Sequence, residues 1–188
     1  MPAFNDERQL IRACLANKRR AQTTLYNHYK GKMYGVCLRY AKSEAQAQDF
    51  LQEGFLKVFK SLSQYRFEVP VEYWMKRIIV NACISELRRK KEPLNQALPI
   101  ETIGELKEEG QATLDTSQLS TTQLLHFIQK LPEGYRAVFN LYAIEGYDHQ
   151  EISEIMSISA GTSRSQYARA RKLLAKQVKQ ELNQRALP

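Results

Sequence analysis

The sequence lacks any long apolar run, and this absence argues against a helix that crosses a membrane. Such a helix needs about 20 consecutive, mostly apolar residues, and no stretch of this kind is present. The N-terminal residues include Asp6, Glu7 and Arg8 where a signal peptide would have its apolar core. We therefore expect a cytoplasmic protein without membrane insertion.

Cysteine and histidine are scarce, with three residues of each. Cys14, Cys37 and Cys83 stand in apolar helical patterns, which is typical of reduced cysteines in a core. A zinc site would need clustered ligands, and the chain also lacks paired carboxylates, a nucleophile–base set and a phosphate-binding glycine loop. The sequence therefore favours a protein with no metal, no cofactor and no catalytic site.

Positive charge is what the chain has in excess. Its 28 lysines and arginines outnumber its 20 acidic residues, which gives a net charge of +8. Contacts from such residues to phosphates supply most non-specific affinity for nucleic acids. A nucleic-acid partner is therefore favoured, although an anionic membrane surface would attract the same charge.

Helical periodicity dominates the chain, since apolar residues recur at helical spacing and no strand-like alternation is found. The sequence predicts an all-α fold of two small helical domains. In the first domain, residues 1–91, helices are expected up to Arg20 and over residues 23–40, 43–61 and 71–91. Four helices with short connections indicate a compact four-helix bundle.

A flexible acidic linker, residues 92–121, is predicted to join the first domain to the second, residues 122–188. This segment contains Pro93 and Pro99 and carries six acidic residues against one lysine. The positive charge of the chain therefore belongs to the two folded parts. The plain interpretation of the segment is a solvated tether.

The second domain is predicted to contain four helices with recognisable boundaries. Pro132 suits the first turn of a helix that runs to Glu145, and Gly146 suits its end. Asp148 and Glu151 have the spacing of a capping box at the start of the next helix. That helix is expected over residues 149–156.

A helix-turn-helix motif follows from the turn at residues 157–159 and the long helix predicted from Ala160. Three isoleucines would pack inside the motif, and four positions of the second helix would form a buried stripe. These residues are Ile152, Ile155 and Ile158, followed by Ser163, Tyr167, Ala170 and Leu174.

The other face of this second helix is basic, because no carboxylate occurs between Glu154 and Glu181. A helix in a DNA major groove reaches base edges with its first side chains and phosphates with its later ones. The candidates for base edges are Arg164, Ser165 and Gln166, and those for the backbone are Arg169, Arg171 and Lys172. A basic helix that binds RNA or a membrane surface is the alternative.

Two surfaces of the first domain are also candidates for binding. The third helix has a polar face around one leucine, formed by Asp49, Gln52, Glu53 and Leu56, which is either a solvated face or a protein-docking surface. Before and within the fourth helix, aromatic residues alternate with lysines and arginines, a pattern that suits binding of single-stranded DNA. Its members are Tyr65, Phe67, Tyr73, Lys76 and Arg77. The alternative is that Tyr73 and Trp74 are core residues, and this interpretation is favoured for Trp74.

Taken together, these motifs resemble the extracytoplasmic-function sigma factors of RNA polymerase, in particular members from Bacteroidetes-type bacteria. Order and spacing match across nearly the full length. The segments that carry the resemblance are LYNHYKGKMYGVCLRY (25–40), AQDFLQEGF (47–55), WMKRIIVN (74–81), LPEGYRAVFNLYAIEGY (131–147) and GTSRSQYARARKLL (161–174).

The resemblance implies that the first domain binds the polymerase clamp and melts the −10 element, whereas the second contacts the flap and reads duplex DNA at −35. The clamp would contact Asp49, Gln52, Glu53 and Leu56. The single strand at −10 would contact Tyr65, Phe67, Tyr73, Lys76, Arg77, Asn81 and Arg88. Many relatives have a glycine-rich loop where this chain has Phe67–Pro70, and arginine is common at the place of Gln166.

The resemblance also admits an anti-sigma factor as a further partner. The negative charge of the linker motivates a separate hypothesis, that it threads the positively charged RNA path of the polymerase as a nucleic-acid mimic. A stand-alone repressor or activator is the second hypothesis, because it would use the same helix-turn-helix, usually as a dimer on palindromic DNA. An enzyme is the third hypothesis and has no motif in its favour.

Overall fold

The structure is a computed structural model that describes residues 6–89 and 119–185. In these ranges the chain is helical without strands, which confirms the all-α prediction. It divides into two compact units, Met1–Glu86 and Leu87–Pro188. The first unit is built from helices α1 to α4, the last of which runs slightly past the boundary, and the second from helices α5 to α8. Most of the predicted acidic linker lies outside the described residues.

The first unit consists of α1 (Glu7–Leu15), α2 (Arg19–Tyr40), α3 (Glu44–Ser61) and α4 (Val71–Arg89), with a single 3₁₀ turn after α3. The first helix is shorter than predicted. It ends at Leu15 because Asn17 adopts a left-handed conformation with φ of 55°, which an α-helix cannot continue. At α3, the Ser43 side chain accepts a hydrogen bond from the backbone N–H of Gln46 and caps the helix.

The core of the first unit is formed by the sides of its helices that face one another. The stripe predicted for α3 is buried, with Leu51, Phe55, Val58 and Leu62 all at most 8% exposed. All three cysteines are buried free thiols, as predicted. Burial raises the pKa of Cys14 to about 11, so its thiol stays protonated and acts as a small apolar side chain.

The second unit consists of α5 (Thr121–Gln129), α6 (Glu133–Phe139), α7 (His149–Met156) and the long α8 (Ala160–Arg185). Helix α8 contacts the other three. One apolar cluster forms beneath α5, with Leu119, Phe127 and Val178 at its centre. A second cluster, around Leu131, Tyr135 and Ala170, joins α6 to α8.

The helix begun by α6 continues as predicted, but its last turn is π-helical over Asn140–Ile144. The backbone N–H of Glu145 donates to the carbonyl of Asn140, five residues earlier, at 2.9 Å. Gly146 then ends the segment with φ of 82°, a conformation that glycine adopts without strain. The widened turn leaves Tyr142 and Ile144 partly exposed, at 38% and 39%.

Gly54 provides a test of how closely α3 and α4 pack in the first unit. A Cβ atom at Gly54 would lie 2.8 Å from Cγ1 of the buried Ile79, whereas one at Gly31 on α2 would meet nothing within 4 Å. Both Gly54→Ala and Gly31→Ala gain the same helix propensity, so their difference isolates the overpacking. We expect Gly54→Ala to be less stable than Gly31→Ala by about 1–3 kcal/mol in urea unfolding. Equal stabilities would show that the two helices are not in close contact there.

Candidate nucleic-acid and protein interfaces

The helix-turn-helix of the second unit is fixed at three points. Two are side-chain caps at the starts of its helices, and the third is a left-handed backbone conformation between them. Asp148 accepts hydrogen bonds from the N–H groups of Gln150 and Glu151, and the Glu151 side chain accepts one from the N–H of Asp148. This is the predicted capping box. Ser157 ends α7 in a left-handed conformation, and the Ser159 hydroxyl accepts a bond from the N–H of Thr162 at the start of α8.

The inner face of α8 packs within this unit and is wider than the predicted stripe. Ser163 and Ala170 are buried, and Tyr167 and Leu174 are half-buried, as expected. Gln166, however, is only 3% exposed. Because 3.6 residues make one turn, positions 166 and 167 both fall on the inward side. A contact of Gln166 with base edges stays a prediction, and it would require this side chain to leave the inward side of α8.

The outer face of α8 carries a row of basic side chains. Arg164, Ser165 and Arg171 are exposed, and the Ser165 hydroxyl donates to the carbonyl of Thr162 at 2.9 Å. Arg169 is half-buried and donates to the Tyr135 hydroxyl at 3.4 Å, and Lys172 is also half-buried. Arg164 and Arg171 are therefore the arginines of this face most accessible to a ligand.

An aromatic cluster that the sequence analysis did not predict connects the π turn, α7 and α8. The His149 ring stacks on Tyr142 with a centroid distance of 4.4 Å, and Tyr142 contacts Tyr167 at 4.5 Å. The Nδ1 atom of His149 lies 2.9 Å from the hydroxyl oxygen of the buried Ser163. The cluster therefore holds the start of α8 against α7. Its members are distant in sequence, so no spacing signal could have revealed it.

The electrostatic setting of His149 disfavours its charged form. Burial lowers the pKa of this histidine, and the nearby positive charge of Arg164 lowers it further, while Asp148 acts in the opposite direction. A neutral ring is also the form that leaves one nitrogen free to accept a hydrogen bond from Ser163.

In the first unit, the loop between α3 and α4 is organised around Tyr65. The Tyr65 hydroxyl donates to the carbonyl of Val69 at 2.6 Å, and its ring contacts Phe67 at 4.7 Å and Trp74 at 5.2 Å. Tyr65 is 7% exposed, so it supports the loop and does not present its ring to a ligand. A contact of Tyr65 with DNA stays a prediction, and it would require the ring to become accessible. The neighbouring Glu7 carboxylate and burial raise the pKa of Tyr65, with burial the larger cause.

Phe67 has the strained backbone of this loop. Its φ of 60° lies in the left-handed region, which is uncommon for a bulky residue and costs about 1–3 kcal/mol. The surrounding contacts hold it there, because the Tyr65 ring lies on it and the guanidinium carbon of Arg8 is 5.3 Å from its ring centroid. The ring itself remains half-exposed.

The other residues predicted to contact single-stranded DNA lie on α4. Tyr73 has the most exposed large apolar side chain of the described residues, at 66%. Arg77, Asn81 and Arg88 are exposed, and Lys76 is half-buried. Tyr73 and Arg77 are four residues apart on one helix and therefore neighbours on its surface.

The polar face predicted on α3 is open to solvent. Asp49, Gln52 and Leu56 are exposed, with Leu56 at 55%, while Glu53 is half-buried and lies 3.6 Å from the Nζ atom of Lys57. An exposed leucine among polar side chains fits a protein-docking surface, because it can be desolvated by a partner without breaking hydrogen bonds.

The part of the chain that the structure describes holds neither a candidate metal site nor a helix that could span a membrane. No group of three or more histidine, cysteine, aspartate or glutamate side chains is placed to hold a metal ion. Within the same ranges, no helix has both the length and the apolar character needed to cross a membrane.

The setting of His149 makes the stability of the second unit depend on pH. Since the folded state binds the proton less tightly than the unfolded chain, the stabilisation is complete above the unfolded pKa of about 6.5 and is lost as the pH falls toward the lower folded pKa. We expect the thermal midpoint of the full chain to fall between about pH 7.5 and 5.5. The drop should shrink in His149→Gln and persist in His126→Gln, an exposed histidine on α5. An unchanged drop in His149→Gln would contradict this assignment.

Comparison with known proteins identifies both units. Residues 25–92 match the family described as sigma-70 region 2, and residues 121–174 match sigma-70, region 4. The ECF RNA polymerase sigma factor SigW of Bacillus subtilis is 29% identical over 163 residues, covering 80% of this chain and 85% of the relative. The RNA polymerase sigma-H factor of Pseudomonas aeruginosa is 28% identical over 179 residues, covering 90% and 92%.

The fold is also similar to that of a solved sigma factor. The structure of RpoE from Bartonella quintana, determined in complex with the anti-sigma factor NepR, superposes with a TM-score of 0.51 at 16% identity, covering 84% of this chain and 96% of the other. This likeness concerns the fold alone. With both sigma-70 regions present in order and full-length relatives of one type, the chain belongs to the extracytoplasmic-function sigma factors, which act in transcription initiation.

Proposed function

We propose that this sigma factor reads duplex DNA at the −35 element with α8 and holds the melted −10 strand with the loop and α4 of its first unit. The observation that carries the proposal is the outer face of α8, where exposed arginines stand on a stretch without carboxylates behind a rigid turn. A solvated helix normally carries both acidic and basic side chains. A helix in a major groove lies between phosphates, so its charged side chains are positive.

Strand opening at −10 would be driven by binding energy. Bases that leave the duplex stack on aromatic rings, which stabilises the open state by about 1–3 kcal/mol per base. Tyr73 is the most exposed ring for this purpose, the half-exposed Phe67 is near it in sequence, and Arg77 would contact the backbone. The chain would supply no catalytic step, since the polymerase performs the chemistry.

The clamp of the polymerase would bind α3 through Leu56 and the polar residues around it, namely Asp49, Gln52 and Glu53. The flap of the polymerase would bind the second unit. Residues 1–91 would form the polymerase and −10 domain, residues 92–121 the linker and residues 122–188 the −35 domain. An anti-sigma factor is a further partner in this proposal, and these partners place the protein in the cytoplasm. The amino-acid sequences of its motifs favour a Bacteroidetes-type member of the family.

The role of Tyr73 is testable with two substitutions at one position. Tyr73→Ala removes the ring on which a base would stack, whereas Tyr73→Phe keeps it. In permanganate footprinting of complexes with core polymerase, we expect about a 10-fold loss of opening for Tyr73→Ala, which corresponds to roughly 1.4 kcal/mol, and near-normal opening for Tyr73→Phe. Polymerase binding should be the same in both. Normal opening by Tyr73→Ala would remove this residue from the proposal.

The two accessible arginines of α8 should have different roles at −35. Arg164, the fifth residue of α8, is placed to contact base edges, and Arg171, two turns later, is placed to contact phosphates. With the full-length protein and core polymerase, Arg164→Gln should cut discrimination between the preferred and a mutated −35 sequence by about 1–3 kcal/mol. Arg171→Gln should weaken binding to both equally and lower the salt slope by about 1. Identical effects of the two variants would contradict this division.

A stand-alone repressor is separated from a sigma factor by what it binds first. In the proposed function the full-length protein co-elutes with core polymerase from a size-exclusion column as one copy per enzyme. A repressor would bind duplex DNA tightly as a dimer without polymerase. Tight dimeric binding to palindromic DNA, together with no co-elution, would favour the repressor.

A further inference from the structure

A second region without carboxylates lies in the first unit, far along the chain from α8. Between Glu7 and Glu44 there are nine lysines and arginines and no acidic residue. None of the residues that the proposed function assigns to DNA or polymerase lies in this stretch. The charge excess therefore has no role yet.

Eight of these nine side chains are exposed. Four of them, Arg12, Lys18, Arg19 and Arg20, lie near the connection between α1 and α2, and Arg8 lies in the first turn of α1; we call these five residues the α1–α2 basic surface. The connection is tight, because the N–H of Asn17 donates to the carbonyl of Cys14 and that of Lys18 to the carbonyl of Ala13. Within the described ranges, no carboxylate forms an ion pair with Arg12, Lys18, Arg19 or Arg20.

Arg12 stands in the last turn of α1, where the helix macrodipole favours a cation, but folding does not explain the charge at the start of α2. Cations in the first turn of a helix oppose its macrodipole, at a cost of about 0.3–1 kcal/mol each, and α2 begins with Arg19 and Arg20 and has no acidic residue in its first turn. Like charges that crowd a connection also repel one another. A feature that breaks a local rule without a structural gain is typical of a functional surface.

The α1–α2 basic surface is continuous with the loop that we propose to hold the −10 strand. The Arg8 guanidinium lies over the Phe67 ring, and Glu7 accepts a hydrogen bond from the Tyr29 hydroxyl at 3.2 Å while lying 3.5 Å from that of Tyr65. Helix α1 is thus attached to the loop at its first turn. Arg12 follows Arg8 by one turn, about 6 Å along the helix axis.

An anionic membrane fits this surface less well than DNA does. A helix that binds at a membrane interface needs an apolar face that is free to enter the lipid. The apolar side chains Leu10, Ile11 and Cys14 of α1 are buried in the unit, and only Leu15 is exposed, at 44%. Single-stranded DNA needs no such face, since cations that track its backbone suffice beside a stacking site.

We infer that the α1–α2 basic surface binds the phosphate backbone of the promoter single strand where that strand leaves the loop around Phe67. This inference rests on the proposed function and adds a DNA contact to it. The contact is electrostatic and independent of base sequence. It prolongs the open complex by holding the strand beyond the −10 element.

Two triple variants of equal charge test the inference. Arg12→Gln/Arg19→Gln/Arg20→Gln removes three charges from the surface, and Lys60→Gln/Lys130→Gln/Lys179→Gln removes three exposed charges elsewhere. Each full-length variant is bound to core polymerase and to a forked promoter whose non-template strand continues as a single strand past the −10 element. Dissociation constants are measured over a range of KCl concentrations, and thermal unfolding checks that both variants fold.

The surface variant should lower the salt slope by about 2, since each contact to a single strand contributes about 0.7, and the control should keep the wild-type slope. The difference should disappear when the single strand is cut back to the −10 element. Equal slopes for both variants would overturn the inference, as would a difference that survives on the shortened fork. Loss of binding to anionic phosphatidylglycerol vesicles without any change on DNA would assign the surface to a membrane instead.

The result is separable from the proposed function. If the wild-type protein opens promoters with core polymerase while the surface variant matches it at every salt concentration, only the inference fails. If the wild-type protein does not bind core polymerase or the fork, the proposed function itself fails.

Discussion

Helices α3 and α8 each bury one side in the core of their unit, and that burial decides which of their side chains remain available to a partner. On α8 the packing against α6 and α7 removes Gln166 from the surface and leaves Arg164 and Arg171 exposed. On α3 the burial of Phe55 and its neighbours leaves Leu56 exposed on the other side. The binding surfaces are therefore consequences of how the two small cores are packed.

Much of the fold was predictable because its signals are local. Helical spacing, the capping box at Asp148 and Glu151, and the end at Gly146 all depend on residues close together in the chain, and the structure confirms them. The end of α1 was predicted too late, because the prediction did not use Asn17, a residue type that often adopts the left-handed conformation just past a helix end. The π-helical last turn after α6 was missed for a similar reason, since it depends on where the helix ends against its neighbours.

The residue types of the candidate sites could be selected from the sequence, but the exposure of each side chain could not. Tyr65 and Gln166, which were both predicted to contact DNA, are buried. A two-residue uncertainty in the helical face is enough to reverse such an assignment, because neighbouring positions differ by about 100° around the helix. The stack of His149 on Tyr142 required three-dimensional contacts between separate helices and had no signal in the sequence.

In the proposed function, two cationic units act on one promoter, and their binding energy is the means by which this sigma factor starts transcription. The most direct measurement is run-off transcription by core polymerase on a library of genomic fragments, with and without the purified full-length protein. The account predicts that adding the protein selects a small set of fragments with a shared −35 and −10 sequence and raises their transcripts well above those made by core polymerase alone. Transcripts that are unchanged in amount and start site would contradict it.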